Sequence, residues 1–343
     1  NYTGTASTTW EITAKEISAI VWSGASSYIY NGGAQAPTLG SNTWLCTGDS
    51  IENIIQTTVS AASGSNLTSG AAVNVGSYQI TASLKGGVTN YALAASVADR
   101  SFAFDITQKE ITPSWSYTAN GGSAVSISGS ASVSFGYTYS VSAAAGTSEG
   151  VVSGESVTFS YTVSGSGNAA SLTAIGSYTI TASLPAGSNY KIAEGAESVT
   201  FTIVTATTGY GSISFTILPT DNKIIYGDSF TVKAEYAAGA DQNITDGAIR
   251  YTVTSGGDCA EIGETTGVLT AKAAGTVAIQ ATWSKDGYAD LIATATITVT
   301  VRQVTISWSE GGTDISNSHT ITYDGATHRV SAAYGNAIEA DIA

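Results

Sequence analysis

The sequence predicts an all-β protein built of tandem sandwich modules. Three observations carry that prediction: a long-range internal repeat, two-residue alternation within it, and a composition that disfavours helices. The stretch "GSYQITASL" at 76–84 returns as "GSYTITASL" at 176–184 with one change in nine residues. Read as a strand, it puts Tyr78, Ile80, Ala82 and Leu84 on one face and Ser77, Gln79, Thr81 and Ser83 on the other, because side chains alternate with period two. The one difference, Gln79 against Thr179, falls on the polar face, so what repeats is a sheet face made to be buried. Ser (46) and Thr (48) fill 94 of 343 positions, whereas only 11% of residues are charged against 43% hydrophobic. Thr, Val, Ile and Tyr suit a pleated, half-buried surface, and Glu, Lys, Gln and Arg, which favour helices, are scarce.

The repeat extends well beyond one strand, and repeats have to be found first because they decide the architecture. An Asn-Tyr pair follows each copy (Asn90-Tyr91 and Asn189-Tyr190), and then a strand ending in an aromatic, one residue and Ile: Phe104-Asp105-Ile106 and Phe201-Thr202-Ile203. The chain opens on the same series out of frame, with Asn1-Tyr2 and then Trp10-Glu11-Ile12. A third stretch, "GTVAIQATW" at 275–283, alternates Val277, Ile279, Ala281 and Trp283 against Thr276, Ala278, Gln280 and Thr282, and "TATITVTV" at 294–301 closes it. Trp308 then restarts the opening pattern of Trp22 and Trp115, and these three Trp read as core anchors. The expected boundaries are therefore 1–13, the closing strand of a preceding module; 14–106; 107–204; 205–302; and 303–343, the start of a further module. Each whole module carries about seven short alternating runs, as a two-sheet sandwich requires. Junctions such as "FDITQKEIT" contain no Pro-rich or Gly/Ser-rich spacer, so adjacent modules are expected end to end with little bending. The two partial ends predict that the chain continues past both of them; the alternative is strand exchange between copies.

Charge excludes several partners. The formal net charge is −14, with 12 Lys and Arg spread thinly, so nucleic-acid backbones and anionic lipid surfaces would be repelled. No run of about 18 apolar residues exists, so no membrane insertion is expected within this stretch. Cys46 and Cys259 lie 213 positions apart in different modules, which predicts two free thiols. Asn-x-Thr triplets at Asn1, Asn66 and Asn243 are expected by chance in so Thr-rich a chain.

The run from "KEISAIVWSGASSYIYNGGAQAPT" through "TGDS", "NVGSYQITASL" and "TNYALAAS" to "FAFDITQKEI" resembles an MBG domain, a repeat found mostly in large bacterial surface proteins. Residues 107–204 resemble it more loosely, with "GGSAVSISG" in place of "YNGGAQAPT". Residues 209–302, with "YGDSFTVKAEY", "GVLTAKAAGTVAIQATW" and "ATITVTV", are similar to the bacterial Ig-like group 2 domain. The resemblance implies tandem Ig-like β-sandwiches arranged end to end as a stalk or fibre, at the bacterial cell surface or in a secreted filament. It supplies no catalytic residue. Partners implied are neighbouring repeats or other copies of the chain, with cell-wall or host glycans as the binding alternative.

The search for chemistry returns little. "GTSEG" at 146–150 fits a nucleophile elbow with Ser148, but no helix follows and the only His are at 319 and 328, so no enzyme is expected. His319 and His328, with Asp314 and Asp324 nearby, match no metal-ligand spacing. The acidic pairs Asp221/Asp228 and Asp286/Asp290 lack the Asp-x-Asp series that calcium loops use. No cofactor and no metal follow from these residues. The remaining candidates are aromatic: Tyr28, Tyr30, Tyr137 and Tyr139 alternate along their strands and are the candidate glycan-facing side chains.

Overall fold

The structure is a computed structural model that describes residues 1–165, 171–239, 244, 246–315 and 318–338. The Asn243 triplet lies outside these. Apart from three single-turn helical segments the regular structure is β. The chain divides into two compact units, one of residues 1–132 with 138–202 and the other of residues 133–137 with 203–343.

In the first unit the repeated stretch forms the strands expected of it, Gly76–Leu84 and Gly176–Ser183. Tyr78, Ile80 and Ala82 are buried, as are Tyr178, Ile180 and Ala182, while Ser77 and Gln79 face solvent. Gly76–Leu84 sits inside a four-stranded sheet, between Ile55–Ala61 and Ser101–Thr107, and Ser27–Ile29 pairs in parallel on the far side of Ser101–Thr107. A second layer contains the parallel pair Lys15–Ala19 and Tyr91–Ala98. One core joins the layers: Ile17 and Tyr91 from the pair, Ile55 and Ala82 from the four-stranded sheet, with Trp44 and Ile54 from the connection between them. Burial of each such side chain contributes about 1.5–3 kcal/mol, which is why the face, more than single residues, is what repeats.

The same plan recurs in the strands that follow. Ser160–Gly165, Gly176–Ser183, Ser198–Val204 and Ser130–Ser134 form a four-stranded sheet, and Lys109–Ile111 pairs in parallel with Tyr190–Ile192. Here the layers are also pinned by a side chain. The Tyr161 hydroxyl donates to the Ala143 carbonyl at 3.1 Å and accepts from the Ala143 N–H at 2.9 Å.

In the second unit, Gly275–Ser284 lies between Leu291–Thr300 and Ala248–Ser255, with Lys223–Ile225 parallel to Leu291–Thr300 at the edge. Val277, Ile279 and Ala281 pack against Leu269 and Ala271 of the three-stranded sheet Ser229–Thr231, Val268–Ala271 and Ala260–Ile262. The unit also carries a small sheet of Thr305–Glu310, Thr313–Asp314 and Val330–Gly335.

At both ends of the repeat series the apolar pattern lies uncovered. Residues 1–14 form no strand, and Trp10 and Ile12 are 78% and 80% exposed. Alternation alone does not make a strand; the backbone needs a ladder partner, and among the described residues this segment has none. Trp308 is 46% exposed, unlike the buried Trp115, because among the described residues no second layer lies over its sheet face. Trp22 is half-buried, its indole N–H donating to the Asp99 carbonyl at 2.7 Å.

Candidate functional site

The aromatic candidates do not form one face. Tyr30 and Tyr139 are only 4% and 6% exposed, and Tyr28 and Tyr137 are half-buried. Tyr139 packs edge-on against Phe201 at 5.3 Å and Tyr30 against Tyr190 at 5.5 Å. The glycan-facing expectation is thus corrected for Tyr30 and Tyr139: their rings have gone into packing, so neither offers a plane to a sugar. Ser148 belongs to a single 3-10 turn, Thr147–Glu149, and its hydroxyl donates to Glu149 at 2.7 Å. His319 and His328 both contact the Glu310 carboxylate, and His328 also meets Asp324 at 3.0 Å; the two carboxylates hold the His328 pKa above its ordinary value, Asp324 first. Among the described residues no group of three or more His, Cys, Asp or Glu is arranged to hold a metal ion. Asp228 pairs with Arg302, and both cysteines are free thiols.

What the first unit does assemble is a joint between its two sandwiches. Strand Ser101–Thr107 closes the first and strand Lys109–Ile111 opens the second, leaving Gln108 as the only residue between them. Gln108 is itself held, its amide donating to the carbonyls of Ser188 and Tyr190 at 3.0 Å each. Tyr30, just past strand Ser27–Ile29, donates its hydroxyl to Glu155 at 2.5 Å, and Tyr190 donates to the other oxygen of the same carboxylate. Burial, and then the Glu155 carboxylate, pushes the Tyr30 phenol up to about 12, so it stays a donor throughout the neutral range. Burial followed by Glu155 raises Tyr190 as well. Alongside, the Asn189 amide donates to Asn74 at 3.0 Å while its oxygen accepts from the Val75 N–H at 2.9 Å. Gly32, with φ of 79°, lies so close to Val152 that a Cβ there would sit 2.8 Å from Cγ1.

Tyr190 and Asn189 are the Asn-Tyr pair of the repeat, and Tyr30 and Gly32 come from "YNGG". Glu155 is the residue that sequence reasoning missed. The usable signal was the Gly-acid dipeptide, Gly48-Asp49 in the first sandwich and Gly154-Glu155 in the second.

No family model matches the chain, and no curated protein does. Solved structures to which it is similar include domains 1–6 of the surface layer protein SbsC, at 11% identity and TM-score 0.24 over 93% of this chain and 50% of that one. The chain thus spans half the length of that structure. Others are mouse cadherin-23 EC22-24, at 13% identity and TM-score 0.24 over 84% and 96% of the two chains, and the 282-residue C-terminal fragment of intimin in complex with the translocated intimin receptor, at 14% identity and TM-score 0.22 over 68% and 60%. No helix among the described residues is long and apolar enough to cross a membrane.

Proposed function

We propose that the chain is a structural repeat segment of a large secreted bacterial surface protein, its sandwiches acting as a semi-rigid stalk for adhesion or display. In this reading 14–106 and 107–204 are MBG-like modules, 205–302 is a bacterial Ig-like group 2 module, and 1–13 and 303–343 belong to flanking modules. The carrying observation is the joint. A single-residue connection, Gln108, is flanked by a carboxylate that takes two tyrosines and an Asn that takes the Asn74–Val75 turn. A linker meant to swivel would instead be long and rich in Gly and Ser. The function is mechanical: independent cores supply strength and held joints limit bending. Small-angle scattering of the chain tests this. A compact globule of this length has a radius of gyration of about 20 Å; a stalk gives a clearly larger value, and a value near that of the globule contradicts the reading.

A further inference from the structure

The sequence contains two Asn-Gly-Gly stretches, Asn31-Gly32-Gly33 and Asn120-Gly121-Gly122, and no other Asn-Gly. Asn is a thermolabile residue, and a following glycine, with no Cβ to shield it, leaves its backbone nitrogen open to react with the Asn amide. Both asparagines are exposed, so water reaches either one. What separates them is where each amide oxygen is tied.

Asn31 Oδ1 accepts from the Gly33 N–H at 2.8 Å. A bond from an Asn side chain to the backbone two residues on spans the intervening nitrogen, so it keeps Asn31 Cγ beside the Gly32 nitrogen, and a donor on Oδ1 draws electrons from Cγ. Asn120 Oδ1 accepts instead from the Thr138 N–H at 2.9 Å, while the Asn120 N–H donates to the Thr138 carbonyl at 2.8 Å. Its side chain is committed to a neighbouring segment, and that bond has to break before Cγ can meet the Gly121 nitrogen.

We infer that Asn31 is a site of spontaneous deamidation that loosens the joint with age, and that Asn120 is protected. The Gly32 nitrogen attacks Asn31 Cγ and gives up its proton to water; the Cγ–Nδ2 bond breaks and ammonia leaves, closing a succinimide ring. Water then opens the ring at either carbonyl, giving aspartate at position 31 or isoaspartate, in which Gly32 is joined through the side-chain carbon. The net exchange is one water taken up for one ammonia released, with nothing oxidised or reduced.

Both products act on the joint. A Cβ on Gly32 would lie 3.3 Å from Glu155 Oε1 and 2.8 Å from Val152 Cγ1, so the turn is seated on the carboxylate that Tyr30 and Tyr190 share. Either product adds a negative charge to that turn, and like charges disfavour each other. Aspartate still fits the turn: in Asp324-Gly325-Ala326 the Ala326 N–H donates to Asp324 Oδ1 at 2.8 Å, and Gly325 has φ of 75° against 79° at Gly32. Isoaspartate does not, because it adds a methylene to the main chain and shifts Gly32 off Val152. The loosening rests on the held joint of the stalk reading, whereas the selectivity of the chemistry does not.

The test ages the full-length chain in warm, mildly alkaline buffer and follows both Asn-Gly peptides by mass spectrometry after digestion, with isoaspartate counted by enzymatic methylation. In the folded chain Asn31 is expected to convert about tenfold faster than Asn120, the rate worth of the hydrogen bond to Thr138. In urea the two rates are expected to converge, since only the shared Asn-Gly-Gly sequence is left. Small-angle scattering of the aged chain is expected to show a wider spread of dimensions. An Asn31→Gln chain aged alongside, whose longer side chain closes a ring far more slowly, is expected to keep its fresh curve. Equal rates in the folded chain, a faster Asn120, or an Asn31 that stays intact while the urea-unfolded chain converts overturns the site. Conversion at Asn31 with an unchanged scattering curve overturns the loosening. A fresh chain that scatters as a compact globule would sink the stalk reading, and the two rates then decide the site on their own.

Discussion

Strands Gly275–Ser284 and Thr305–Glu310 are both written in two-residue alternation, yet they end in opposite environments. Val277, Ile279, Ala281 and Trp283 are buried, whereas Ile306 and Trp308 are exposed. The ladders do not explain this, since Thr305–Glu310 is paired on both sides, antiparallel to Val330–Gly335 and to Thr313–Asp314. The second layer does. Gly275–Ser284 faces the sheet of Val268–Ala271, while the face bearing Ile306, Trp308 and Tyr334 meets no opposing sheet among the described residues. Alternation chooses which face is apolar; only an opposing layer turns that face into stability.

The contrast can be broken most severely at its two tryptophans. Trp283 stacks on Tyr236 with ring centroids 4.5 Å apart and is fully buried. Trp283→Ala is expected to cost about 3–5 kcal/mol, measured by urea denaturation followed through tyrosine and tryptophan fluorescence. A smaller disturbance of the same core comes from Gly247, where an added Cβ would fall 1.9 Å from the Trp283 indole nitrogen. Gly247→Ala should lose about 1–3 kcal/mol through forced repacking, again from the urea midpoint.

How far the sequence reached follows from that layer rule. The repeated strand, its buried Tyr-Ile-Ala face and the near-absence of helix were legible because they depend on local period and composition. What covers Trp308 and what pairs with residues 1–13 was not legible, because both require a partner that no local pattern specifies. The joint was half legible. The Asn-Tyr pair and "YNGG" stood out as repeats, but Tyr30 was expected to face a glycan, since a two-residue period does not say which layer receives a side chain at the end of a strand. Glu155 was missed because its counterpart in the first sandwich is Asp49, and the match shows only once both carboxylates are seen on the tyrosine of an Asn-Tyr pair.

Weaker effects sharpen the comparison at the joint, where polar groups replace an apolar layer. Tyr30→Phe keeps the ring against Tyr190 and removes one hydrogen bond to Glu155, so about 1–2 kcal/mol is expected. A double-mutant cycle with Glu155→Gln isolates the pair. The pH dependence carries a definite sign. Tyr30 donates only while protonated, and its folded pKa is pushed up to about 12 from an ordinary 10.0. Its contribution is therefore full below pH 10 and is lost as pH rises through about 12; the stability gap between wild type and Tyr30→Phe should close across that alkaline range. The smallest effect is expected at the uncovered face, where Trp308→Ala should change stability by less than about 0.5 kcal/mol.

The central claim is that the joint between the two sandwiches of the first unit is held without a hinge, and a cross-link across it tests this most directly. Gly32→Cys with Val152→Cys, in a chain with Cys46→Ser and Cys259→Ser, places two Cβ atoms about 3.7 Å apart, at a cost of about 1–2 kcal/mol for a side chain at the positive φ of Gly32. Small-angle scattering is then recorded on the oxidised and the reduced protein. A held joint predicts superimposable curves, because the disulfide fixes a geometry the chain already keeps. Curves that diverge on reduction, with the reduced form spreading to a broader distribution of dimensions, would contradict the account.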